Sequence, residues 1–316
     1  VLETIEKRFQ EGSRVHEDIK PLRRGVRVVY ADQNPGFHID VTPARPRSWN
    51  DETHGHGMLE VPDRETGWKA SSPIPYADWL HDASESQIML ENYVALNKSR
   101  AVADSATIAP LPEYEEYQTE DPLRASIKLL KRHRDEWAIR TKNERSRPIS
   151  AVITTLAAHA WLNVAMQSRQ RPFTPLEAIL EIVRTMPNFI RSNGQEYMVC
   201  NPEDSGENFA EKWNRPGEGS AYQRAFYEWH ESACKAFSLG LESYSSVESF
   251  AKAVNESFGI GRSFVDEVNT SIPANWTMPG RPSGMNRNSV SMGALFGGVA
   301  GSDQSQADTK PVGRLG

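Results

Sequence analysis

The stretch from about 149 to 167 constrains what this chain can fold into more than any other. Ile149, Val152, Ile153, Leu156, Ala157, Ala160 and Val164 recur at helical spacing and form one broad apolar face. A face that wide is stable only when other elements cover it, so helices must gather around it. The neighbouring sequence supplies them. One helix is predicted over about 76–97 and another over 122–140, the second opened by Asp121 as N-cap with Pro122 at the first helical position. Thr174-Pro175-Leu176-Glu177 is a capping box for a further helix that Pro187 limits. Helical patterns return at about 219–238 and 246–268.

The front of the chain has a different character. Leu2, Ile5 and Phe9 predict a short amphipathic helix. Val26-Arg27-Val28-Val29-Tyr30 and Phe37 to Thr42 flank the turn formers Asp32-Gln33-Asn34-Pro35-Gly36, which predicts an antiparallel pair of strands. Residues 43–75 hold many Pro, Gly and polar residues without apolar periodicity and read as a long surface loop. Beyond about 273 the sequence turns to Gly, Ser, Asn and Pro, the composition of a disordered tail. The expected class is therefore α+β, with a small β-containing front and a large helical back.

Composition narrows the function. At 316 residues and 38% hydrophobic content, the chain can bury a sizeable core. A net charge of −6 argues against stable nucleic-acid binding through the overall field. With no apolar run near the roughly 18 residues a membrane helix needs, and no signal segment, the expectation is a cytoplasmic protein without a membrane partner. Cys200 and Cys234 lack metal-ligand or redox spacing and are expected to be buried thiols.

Tyr30-Ala31 followed by Phe37-His38-Ile39-Asp40-Val41-Thr42-Pro43-Ala44-Arg45-Pro46 resembles the third catalytic strand of the bacterial cGAS/DncV-like nucleotidyltransferases, the SMODS family. Three further segments are similar to the same family: Leu129-Leu130-Lys131-Arg132-His133-Arg134-Asp135, Arg147-Pro148-Ile149-Ser150-Ala151-Val152-Ile153-Thr154-Thr155-Leu156, and Glu207-Asn208-Phe209-Ala210-Glu211-Lys212-Trp213. Together they cover about residues 1–270. The resemblance implies a polymerase-β-like palm, incomplete at the N-terminus, over 1–75, a helical nucleotide-binding domain over 76–272, and the tail over 273–316. It also implies an activity: joining ATP, GTP or other nucleoside triphosphates into cyclic di- or trinucleotides that signal phage infection in CBASS antiphage defence.

The resemblance assigns residues as well. Asp40 would be the catalytic carboxylate, a ligand of Mg2+ (or Mn2+) nearest the attacking sugar hydroxyl, because hard divalent cations take oxygen ligands. Lys131 would reach the triphosphate as a flexible point charge. Ser150, at a helix start, would donate to phosphate oxygens. The C-terminal Gly316 implies a further partner, an E1/E2-like ligase that conjugates the synthase's terminus in many such operons. Without the resemblance, Asp40 reads as a strand-end aspartate satisfied by backbone donors, Lys131 as part of a solvated face, and Ser150 as a helix cap.

The sequence also departs from the family. No Asp-x-Asp occurs in it, and Gly12-Ser13 has no acidic pair at the right distance after it, so it does not replace the family's Gly-Ser loop. The segment before Arg23 resembles the linker that follows the Asp-x-Asp strand, which puts the missing ligands upstream of Val1. One carboxylate leaves two metal ions under-ligated, so the chain as written is expected to be inactive. Ala151 replaces the aromatic residue with which animal relatives stack a base. Two rival readings remain: a degenerate, non-catalytic nucleotide-binding module, and a zinc hydrolase built on His38, Asp40, His54 and His56.

Overall fold

The computed structural model describes residues 1–12, 19–31, 37–48, 57–90, 122–241, 247–261 and 263. They form a mixed α+β protein with seven α-helices and small antiparallel sheets among the described residues. Helix α1 (Leu2–Gly12) precedes β1 (Ile19–Pro21), β2 (Val26–Ala31) and β3 (Phe37–Val41), which make a three-stranded sheet in that order. The expected strand pair is β2 with β3, and Arg27 stands opposite Asp40, with Val28 opposite Ile39. Gly25 lets these strands meet at their open end: a Cβ there would lie 2.4 Å from the Val41 carbonyl oxygen.

The expected loop over 43–75 is corrected by a second sheet. Strands β4 (Arg45–Pro46), β5 (Leu59–Asp63) and β6 (Gly67–Ser71) pair antiparallel, in the order β4-β5-β6. Its inward face is short, Leu59 and Val61, and Pro62 within the run disguises it, since proline is disfavoured in strands. Gly67 closes the β5–β6 turn at φ 84, a left-handed conformation that glycine adopts without Cβ strain.

The helical body follows. Helix α2 (Pro73–Ser84) is shorter than expected and ends well before 97; the part of that expectation from 91 onward lies outside the described residues, as does the Asp121 cap. Then come α3 (Pro122–Thr141), α4 (Ser150–Ser168), α5 (Pro175–Thr185), α6 (Gly219–Phe237) and α7 (Val247–Phe258). The α5 capping box is formed reciprocally by Thr174 and Glu177, and a 3-10 turn over Met186–Phe189 takes up Pro187.

Helix α4 is buried on nearly every side, from Val152 and Ile153 to Trp161 and Val164. It packs against α2, α3 and α5, while α3 also touches α6 and α7. The pattern's broad face thus understated its role, for α4 is the central helix of the core. Between α5 and α6 lie two small hairpins that periodicity did not announce. They are β7 (Arg191–Ser192) with β8 (Tyr197–Met198), and β9 (Cys200–Asn201) with β10 (Asp204–Asn208). The expected buried thiols are only partly covered, and both cysteines are free.

Polar contacts fasten the front to the body. Asp204, 1% exposed at its side chain, receives both Arg47 Nη atoms at 3.1 and 2.6 Å, Ser72 Oγ at 2.8 Å and the Gly206 N–H at 3.0 Å. Burial pushes its carboxyl pKa up, but Arg47, Ser72 and the backbone donor outweigh that and hold it low. Glu211 accepts from Arg24 at 2.5 Å and from Lys69. Asp63 is held below the usual carboxylate range by Arg23 and Arg24, against the upward push of burial.

One core group makes stability depend on pH. His133 is fully buried against the Trp229 and Phe258 rings, and burial, aided by Arg140, pushes its pKa down from 6.5 to about 4. The folded value lies below the unfolded one, so the stabilisation is complete above pH 6.5 and is lost as pH falls toward 4. At about 1.4 kcal/mol per pKa unit, stability is expected to drop by about 2 kcal/mol between pH 7 and pH 5. Urea denaturation at the two pH values checks this. The His133→Phe variant should lose most of that difference, because phenylalanine has no titratable ring, although it also forfeits the 3.3 Å contact between Ser232 Oγ and His133 Nε2.

Candidate functional site

The sequence-predicted residues fall into two places. Asp40 lies on β3, an edge strand among the described residues, whose Phe37 and Ile39 are also exposed. Backbone donors do not satisfy its carboxylate. Arg27 does, across the strand pair, with Nε at 2.7 Å from Oδ1 and Nη2 at 2.9 Å from Oδ2. These hydrogen bonds, with a smaller contribution from His38, hold the Asp40 pKa below its ordinary value. The cross-strand register brings the two side chains together, and a bidentate guanidinium–carboxylate pair is the strong form of such a contact.

The donor set does not fit two divalent cations. Both Asp40 oxygens are taken by a cation already, and no group of three His, Cys, Asp or Glu side chains among the described residues could hold a metal. His54 and His56, needed for the zinc reading, lie outside the described residues, as does Gly316.

Lys131 and Ser150 belong to the second place, and Arg134 joins them. Helix α3 carries Lys131 and Arg134 three residues apart, so the two side chains are neighbours on its surface. Arg134 is buried; its Nη1 donates to Ser150 Oγ at 3.0 Å and to the Pro148 carbonyl at 3.2 Å. Asp135 braces Arg134 through Nε at 3.0 Å and reaches Arg147 at 3.4 Å. Ser150 is therefore the first residue of α4 and not its cap.

The N-cap of α4 is Ile149, which offers no side-chain acceptor to the helix's first-turn amides. Such amides are ready donors for an anion, and the helix dipole favours negative charge there. Lys131 is half-buried, with no carboxylate partner among the described residues. Burial lowers its pKa first, and the Arg134 charge lowers it further. An ammonium in that position lacks its counter-charge, and an incoming anion would supply it.

A cleft of about 710 Å³ adjoins this helix start. Its wall includes Ile149, Trp68 and Lys69 of β6, and Glu207, Phe209 and Glu211. The sequence gives no separate task to Arg134, Glu207 or Glu211. Trp68 falls within the expected loop over 43–75, where an isolated indole amid polar residues is a readable signal. Neither a protein-family model nor a curated protein matches this sequence.

Proposed function

We propose that this chain is the nucleotide-gripping part of a nucleotidyltransferase and holds a nucleoside triphosphate by its phosphates at the start of α4. The observation that carries the reading is the half-buried ammonium of Lys131, without a carboxylate partner among the described residues, beside Arg134, which in turn holds Ser150 at a helix N-terminus with no side-chain cap. Lys131, Arg134 and Arg147 set three positive charges against the carboxylate of Asp135, a balance that favours a polyanion. The implied two-metal chemistry is not part of this grip, since the described carboxylates do not assemble for it. Asp40 paired with Arg27 supports binding without turnover by these residues alone.

The test is direct titration with ATP and with inorganic tripolyphosphate. Both are expected to bind and to compete with each other. Bound phosphate raises the Lys131 pKa, so binding takes up a proton once the free ammonium has begun to dissociate. Affinity should therefore fall as pH rises through the lowered Lys131 pKa, earlier than an ordinary lysine at about 10.4 would cause. Isothermal titration along a pH series measures this. Equal affinity of the wild type and Lys131→Met for tripolyphosphate across the series would overturn the reading.

A further inference from the structure

We propose that the cleft beside α4 seats the nucleoside end of the ligand, with the Trp68 indole as the stacking platform for its base. The inference rests on the phosphate grip described above and extends it. Ile149 is both the N-cap of α4 and part of the cleft wall, so the helix start and the cleft adjoin each other. The volume of about 710 Å³ suits a ligand of nucleotide size.

Trp68 is half-buried on β6, opposite Pro62. The Arg45 guanidinium stands over one face of its ring, with Cζ 3.7 Å from the centroid. Arg45 is itself fixed by Glu60, at 3.1 Å from Nη2. Trp68 lines the cleft and Arg45 does not, and the base takes the ring face that Arg45 leaves uncovered. The cation draws π-density toward itself, which makes the open face a better partner for an electron-rich base.

The cleft also contains a fixed acceptor. Glu207 Oε2 receives the Ser72 N–H at 3.0 Å and Asn201 Nδ2 at 2.8 Å, which sets the carboxylate's direction. Its Oε1 has no partner among the described residues and is available to a hydroxyl or amino donor of a nucleoside. Stacking discriminates little between bases, because every base has a π-face. The platform therefore admits ATP, GTP, CTP and UTP, with only a modest preference for the more electron-rich bases.

The experiment compares ATP with tripolyphosphate on the full chain. Trp68→Ala is expected to weaken ATP about tenfold, the usual loss for one stacked base, and to leave tripolyphosphate affinity unchanged. Trp68→Phe should restore most of the ATP affinity, because it keeps a ring. If Trp68→Ala binds ATP as the wild type does, or loses both ligands equally, the platform is refuted and the phosphate grip stands on its own data. If the wild type binds neither ligand, both readings fall.

Discussion

Replacing Lys131 by alanine is expected to lower the affinity for ATP and for tripolyphosphate by about 10- to 100-fold. The magnitude follows from one charge-assisted hydrogen bond, worth about 1.5–3 kcal/mol, at about 1.4 kcal/mol per tenfold change. The same substitution should cost the fold little. It removes an ammonium that burial and Arg134 already disfavour, and no carboxylate among the described residues loses a partner. Thermal unfolding should be near wild type while titration shows the loss. That separation distinguishes a ligand-holding lysine from one that merely covers the helix surface. Lys131→Arg is expected to recover part of the affinity, since the charge returns without the compact point geometry.

The largest effect on stability is expected at Asp204. Substitution by alanine removes the acceptor for Arg47, Ser72 and the Gly206 amide together. Loss of one partner from a buried ion pair costs about 3–5 kcal/mol, because the remaining polar groups lose solvation without recompense. Arg47 is 32% exposed at its side chain and can regain some water, so the lower end of that range is expected. Urea denaturation measures the loss. A double-mutant cycle with Arg47→Ala should show strong coupling between the two. A change below about 1 kcal/mol would show that the contact between front sheet and body contributes little.

These two residues illustrate how differently the chain discloses its parts. Lys131 stands in a segment that the sequence alone singles out, within a run of basic residues on one helix. Asp204 stands in Asn201-Pro202-Glu203-Asp204-Ser205-Gly206, which reads as an ordinary polar turn. Its partners lie 157 and 132 residues away, and no local pattern encodes them. The same holds for Glu211, whose partners Arg24 and Lys69 come from the front of the chain. A polar side chain becomes structural only through what is brought to it.

Asp40 shows a subtler case. The strand that carries it and the pairing with β2 were readable from β-branched runs around a turn cluster. Even Arg27 opposite Asp40 is a consequence of that register. Arg27 as the carboxylate's partner, in place of backbone donors, came from the tertiary structure.

By itself, the sequence determined the α+β class, the succession of helices α3 to α6 within a few residues, the start of α7 though not its end at Phe258, and the α5 capping box. These depend on periodicity, turn formers and caps, which act over a few residues and are written in consecutive positions. Only the tertiary structure decided that residues 59–71 form two strands, that α4 is enclosed on nearly all sides, and that Arg134 connects Lys131 to Ser150. It also decided that Trp68 and Ile149 share one cleft. Each of these depends on contacts between distant parts of the chain, where burial and counter-charge are set by neighbours that no local pattern names.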